Sequence, residues 1–139
     1  MDIPVVLVDD DELDRYITAR QLAKVDEFGP VIEVESGDEL LKSYFQNDSI
    51  YQRSEMPVLI LMDINMPGSS GFDTIEEIQE ALGLPRPSSV PTFVMFSSSG
   101  SELDKDRANN LDLVKGFLSK PLTAEGAMYL RDIYTQNMQ

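Results

Sequence analysis

An unbroken apolar run, Val58-Leu59-Ile60-Leu61-Met62, stops at Asp63, and Asn65, Met66, Pro67 and Gly68 then turn the chain. Five apolar residues between Pro57 and a turn read as a strand buried on both faces, which is how strands of a parallel sheet covered by helices look. Such a strand carries Asp63 to its C-terminal lip, where open α/β sheets place their chemistry. Taken alone, an acid at that point is equally a turn former.

The pattern repeats along the chain. Pro4-Val5-Val6-Leu7-Val8 is a first β-branched run, and it too ends in acids, Asp9-Asp10-Asp11-Glu12. Asp10 or Asp11 can cap a following helix, with Leu13, Tyr16 and Ile17 at the spacing of a buried face and Gly29-Pro30 as its stop. Val31 to Glu35 forms a second strand, whose alternating charges suit a sheet edge. Ser36-Gly37-Asp38-Glu39 opens a second helix carrying Leu40, Leu41, Tyr44 and Phe45. Residues 46–57 are polar and turn-rich.

After Gly68 to Gly71 a third helix presents Phe72, Ile75, Ile78 and Leu82, and a Pro/Ser loop follows from Leu84. Pro91 to Phe96 is the fourth strand, ending in Ser97-Ser98-Ser99-Gly100. A polar helix over 101–112 has Leu103 and Leu111 to bury. Lys115 to Ser119 is a short fifth strand ending in Lys120-Pro121, and a last helix over 122–136 carries Met128, Leu130, Ile133 and Tyr134. Strands and helices that alternate in this way predict a parallel sheet with helices on both faces in one domain, with no linker to a second.

Composition removes whole classes of chemistry. The chain has neither cysteine nor histidine among its 139 residues, so it makes no disulfide, offers no thiolate or imidazole to a metal, and carries no histidine base. With 25 acidic against 11 basic residues its formal charge is −14, which repels nucleic acid and anionic membranes. No apolar run approaches the length of a membrane helix, and the N-terminus lacks a basic secretory leader, so a cytoplasmic location is expected.

In a parallel sheet all strand C-termini face one edge. That edge receives Asp9 and Asp10, Asp63, Ser97 and Lys120, from four different strands. Crowded carboxylates repel unless a cation sits among them, and all-oxygen donors call for a hard one, Mg²⁺ first with Mn²⁺ as substitute. A carboxylate beside such a metal can attack a phosphoryl group and form an acyl phosphate. Lys120 and the Ser97 hydroxyl are then placed to stabilise the transferred charge.

Leu7-Val8-Asp9-Asp10, Met62-Asp63-Ile64-Asn65-Met66-Pro67-Gly68, Ser97 and Phe117-Leu118-Ser119-Lys120-Pro121 together resemble the receiver domain of two-component response regulators, over essentially the whole chain. The resemblance implies a flavodoxin-like (βα)5 fold with a five-stranded parallel sheet in the order 2-1-3-4-5. It implies Asp63 as phospho-acceptor. Asp9, Asp10, Asp63 and the Asn65 backbone carbonyl would hold Mg²⁺, with Asp9 acting through water. Ser97 and Lys120 would bind the phosphoryl group, Phe117 would be an aromatic switch, and the bond before Pro121 would be cis. Phe117 reads equally well as an ordinary core aromatic. Asn65 and Ser99, each two residues past a site residue, are neither acid nor base, so no unusually fast dephosphorylation is expected.

The resemblance also implies partners: a sensor histidine kinase or histidine phosphotransfer protein as donor, and a downstream protein that reads the face formed by the fourth helix, the fifth strand and the fifth helix. A homodimer is compatible with it. With no output domain following, the chain resembles the stand-alone class, a phospho-accepting switch rather than an enzyme. A phosphate shuttle or sink is the variant reading. A haloacid-dehalogenase-like Mg²⁺ phosphatase would need a second acid where Asn65 stands. A flavodoxin would need a Ser/Thr/Gly-rich phosphate loop where Asp9-Asp10-Asp11-Glu12 stands.

Overall fold

The computed structural model describes residues 2–44, 57–98 and 100–138, without the Tyr44 side chain. Among them five strands alternate with five helices: β1 (Ile3–Val8), α1 (Glu12–Leu22), β2 (Phe28–Val34), α2 (Gly37–Tyr44), β3 (Leu59–Asp63), α3 (Gly71–Leu82), β4 (Thr92–Ser97), α4 (Glu102–Asn109), β5 (Val114–Ser119) and α5 (Ala124–Asn137). Every strand pairing is parallel, and the order is β2-β1-β3-β4-β5. This is the doubly wound, flavodoxin-like arrangement expected from the sequence.

β3 lies in the middle, and all five of its residues are buried. Its side chains alternate between two cores, as strand geometry requires. Ile60 and Met62 join Val6, Val8, Phe93 and Met95 under Leu40 of α2 and Phe72, Ile75 and Ile78 of α3. Leu59 and Leu61 join Val5, Leu7, Val94 and Phe96 under Leu22 of α1 and Leu130, Ile133 and Tyr134 of α5. Each fully buried large side chain contributes about 1.5–3 kcal/mol, so the central strands fix the register of the whole sheet. The Tyr134 hydroxyl donates to the Pro57 carbonyl at 2.6 Å, which ties α5 to the entry of β3.

Helices leaving the C-terminal edge start from side-chain caps. Asp11 accepts from the N–H groups of Leu13 and Asp14, Ser70 and Asp73 form a capping box, and Ser101 and Thr123 cap α4 and α5. These bonds satisfy amides that the helix itself cannot, and they fix where each strand-to-helix loop ends.

Several expectations change. Leu13 and Tyr16 are exposed and Ile17 is only half-buried, whereas Arg15, Thr18 and Leu22 face inward. The reason is polar: Arg15 donates to the Asp9 carbonyl at 2.7 Å and to Glu33 at 3.1 Å, and this locks the face of α1. Leu103 is 81% exposed. α4 buries Ala108, which stands five positions on, about 140° around the helix. Met128 is exposed because α5 turns Ala127, Leu130 and Tyr134 inward instead.

Gly29-Pro30 does not end α1, which stops at Leu22; the pair lies inside β2. There the ladder steps from Ile3↔Phe28 to Val5↔Val31, placing an extra residue in the edge strand. An edge bulge is where a sheet tolerates proline. The expectations for Phe45, the Tyr44 side chain, Ser99 and most of the 46–57 segment lie outside the described residues.

Two glycines shape the loop after β3. Gly68 has φ +95°, a conformation open to few other residues. The Gly71 N–H donates to the Ile64 carbonyl at 2.9 Å, and a Cβ on Gly71 would collide with the Asp63 carbonyl oxygen. Gly71→Ala should therefore lower stability by about 1–3 kcal/mol, the usual effect of overpacking. The check is a reduced urea midpoint at unchanged slope, and an unchanged midpoint would contradict this close approach.

Candidate functional site

The C-terminal edge gathers its side chains from strand ends and from the first turn of α1. Asp9 follows β1, Asp63 closes β3, Ser97 closes β4 and Lys120 follows β5. Asp9, Asp63 and Ser97 are buried, while Asp10 is exposed. Carboxylate oxygens of Asp9, Asp10 and Asp63 lie within 4.8 Å of one another. Lys120 Nζ stands 2.6 Å from Asp9 Oδ2, 3.2 Å from Asp14 Oδ2 and 3.5 Å from Asp63 Oδ1.

Backbone bonds hold this arrangement. Asp9 Oδ1 accepts from the Asp11 N–H at 2.9 Å, so one oxygen of Asp9 is fixed by its own loop and the other meets Lys120. The Lys120 N–H donates to the Ser97 carbonyl at 2.8 Å, joining the ends of β4 and β5. The bond between Lys120 and Pro121 is cis. The ammonium of Lys120 also lies over the Phe96 ring, with Nζ 5.6 Å from its centroid.

Electrostatics and burial pull in opposite directions here. Burial pushes the Asp63 carboxyl up to about 6; the Lys120 charge draws it back, and the neighbouring Asp9 adds to the rise. A hydrogen bond from the Asn65 backbone favours the charged form. For Lys120, burial alone would weaken its hold on a proton, but the Asp9 hydrogen bond and the Asp63 and Asp9 charges outweigh it. The ammonium is held above its ordinary range.

Of the residues singled out from sequence, Asp9, Asp10, Asp63 and Lys120 come together directly. Ser97 is wholly buried beside them, and its strand partner is Ser119. Asn65 is exposed two residues past Asp63, and its backbone N–H donates to the Asp63 carboxylate. Phe117 stands apart. It is half-buried opposite Met95 in the ladder, packed against the core that holds Phe93 and Met95, its ring 3.1 Å from where a Cβ on Gly100 would sit.

Two site residues were not singled out from the sequence. Asp14 looks like an ordinary first-turn acid, and Arg15 looks like a surface charge. Only the Asp11-to-Asp14 spacing hinted at an arrangement near the helix start.

The donor set suits a hard divalent cation: all-oxygen, anionic, partly open through exposed Asp10, and flanked by one fixed ammonium. A sequence model of the response regulator receiver domain matches residues 5–129. The chain belongs to the response regulator receiver family. The receiver resembles a two-component response regulator from Cytophaga hutchinsonii at 26% identity, covering 98% of this chain and 99% of that one with a TM-score of 0.83. It shares its fold with the phosphorylated cyanobacterial phytochrome response regulator RcpA (24% identity, 99% and 96% covered, TM-score 0.71). It also shares it with the response regulator Rcp1 in its Mn²⁺-bound form (22% identity, 94% and 91% covered, TM-score 0.70). Among the described residues, no helix is long and apolar enough to cross a membrane.

The burial of Asp63 has a measurable consequence. A carboxyl raised from 3.8 to about 6 keeps its proton in the folded chain after the unfolded chain has lost it. Its contribution to stability is therefore full below pH 4 and is lost as pH rises to about 6. With divalent metals chelated, Asp63→Asn should be more stable than the parent at pH 7 by about 1–3 kcal/mol. The gap should close towards pH 4. Thermal unfolding by circular dichroism checks this, and a pH-independent gap would contradict it.

Proposed function

We propose that this receiver takes a phosphoryl group on Asp63 from a phosphohistidine of another protein and changes a partner-binding face in response. The observation that carries the reading is the Asp63 carboxylate itself. It is buried at a strand end, shares an oxygen cluster with Asp9 and Asp10, and stands 3.5 Å from the Lys120 ammonium. The donor is the phosphohistidine of a sensor histidine kinase or histidine phosphotransfer protein, since none of these 139 residues is a histidine.

In the transfer an Asp63 oxygen attacks phosphorus. A P–O bond forms, and the bond from phosphorus to the donor nitrogen breaks, its electron pair leaving with the nitrogen. Lys120 and the Ser97 hydroxyl stabilise the transferred oxygens. Asp9, Asp10, Asp63 and the Asn65 carbonyl are the groups that would hold Mg²⁺, or Mn²⁺ in its place, whose charge offsets the crowded acids and the incoming phosphoryl. The chain is thus a self-modifying switch rather than an enzyme acting on other substrates.

The output face is the one formed by α4, β5 and α5. A groove of about 350 Å³ lies there, lined by Lys105, Asn109, Val114, Lys115, Phe117 and Tyr129 among others. α4 is loosely anchored: Ala108 is its one buried residue, and Arg107 bridges to Asp73 and Glu76 of α3 on the surface. Elements with so little buried apolar area shift at low free-energy cost, which supports a switching role.

The test is phosphorylation by acetyl phosphate, read by intact mass. We expect one phosphate-sized gain in the parent, lost in Asp63→Asn and without Mg²⁺. Persistent labelling of Asp63→Asn would sink the assignment. Lys120→Ala should still bind Mg²⁺ but fail to respond to phosphorylation at the α4-β5-α5 face.

A further inference from the structure

Asp14 occupies a position that its local sequence does not explain. It stands at the third residue of the α1 N-terminus, three after the cap Asp11. An acid there ordinarily turns back to the cap residue's own N–H. That N–H is already taken, because Asp11 N donates to Asp9 Oδ1 at 2.9 Å. The Asp14 carboxylate reaches across the site instead and accepts from Lys120 Nζ at 3.2 Å, over a separation of 106 residues. Its main chain is fixed from both sides. The Asp14 N–H donates to Asp11 Oδ1 at 3.1 Å, and its carbonyl accepts from the Thr18 hydroxyl at 2.8 Å.

Lys120 thus has three anionic partners in the unphosphorylated chain, and they differ in kind. Asp9 is buried and doubly bonded, and Asp63 is the acceptor. Asp14 is partly exposed, and among the described residues its carboxylate pairs with Lys120 alone.

We infer that Asp14 is a positioning residue that competes with the phosphoryl group for Lys120 and so weakens the phosphorylated state. The inference rests on Asp63 being the phospho-acceptor. When Asp63 carries a phosphoryl group, the Lys120 ammonium must face a dianionic group beside it, and every interaction with Asp14 draws it the other way. The Asp14 charge also repels the incoming phosphoryl oxygens directly. Both effects have the same sign. Removing the charge while keeping the shape should favour the Lys120-to-phosphoryl pairing, by the amount a partly exposed ion pair is worth.

The experiment titrates beryllofluoride, a stable stand-in for the phosphoryl group, into the full chain at saturating Mg²⁺, followed by fluorine NMR. Asp14→Asn should bind it about two- to fivefold more tightly than the parent. Asp14→Glu, which keeps the charge, should return to parent-like affinity. Glu80→Gln removes the same charge at the exposed C-terminal half of α3 and should leave the affinity where it was. The phosphoryl group placed by acetyl phosphate should also persist longer on Asp14→Asn.

Equal tightening in Asp14→Asn and Glu80→Gln would reduce the effect to net charge and overturn the inference. So would unchanged or weaker binding in Asp14→Asn. If the parent itself shows no Asp63-dependent uptake, the phospho-acceptor reading fails, and this inference falls with it.

Discussion

One ammonium group among four carboxylates governs the C-terminal edge of this sheet. Lys120 lies within 3.5 Å of Asp9, Asp14 and Asp63, and Asp10 borders the same cluster. One positive charge cannot balance that many negative ones in a half-desolvated pocket, so the pocket remains a strong attractor for further positive charge. The fold accepts this arrangement because the acids arrive on three different elements, Asp9 and Asp10 after β1, Asp63 on β3 and Asp14 on α1. β1, β3 and the first turn of α1 are fixed by cores and caps well away from the pocket, and these hold the carboxylates together against their repulsion.

The same reasoning explains why the sheet is so apolar elsewhere. β3 buries all five of its residues, and β4 buries all six, ending in Ser97. Two continuous cores supply the stability from which the charged edge is subtracted. The raised carboxyl of Asp63 is the visible part of that subtraction. Sites of this kind are stabilised by the elements around them, and groups with pKa values shifted by burial cluster there.

Much of this was legible in the sequence, because parallel strands buried on both faces leave a strong signal. Val58 to Met62, Pro4 to Val8 and Pro91 to Phe96 declare themselves by composition. Once they are strands, their endings at Asp63, Asp9 and Ser97 must share an edge. Helix faces were less legible. Leu13 and Tyr16 look like a buried stripe, yet the inner face of α1 is set by a guanidinium that satisfies the Asp9 carbonyl and Glu33. Hydrophobic periodicity cannot see a face chosen by polar contacts. Asp14 was hidden for a related reason: the bond that would have kept it local had been taken by Asp9, a long-range consequence of where β1 ends. Gly29-Pro30 misled because a proline at an edge bulge and a proline after a helix look identical in one dimension.

The contact between strand ends and the outer face is narrow. The Lys120 N–H is bonded to the Ser97 carbonyl, so the ends of β4 and β5 are joined through the backbone beside the cluster. From Ser97 the chain runs directly into the loop before α4, where Gly100 lies against the Phe117 ring. Phe117 in turn lines the groove between α4 and β5. α4 buries one side chain, whereas β4, from which the chain reaches it, is buried along its whole length. An element with so little buried apolar surface costs less free energy to move than a strand enclosed on both faces. The asymmetry lies in how the helices are anchored, and it needs no special pathway through the core.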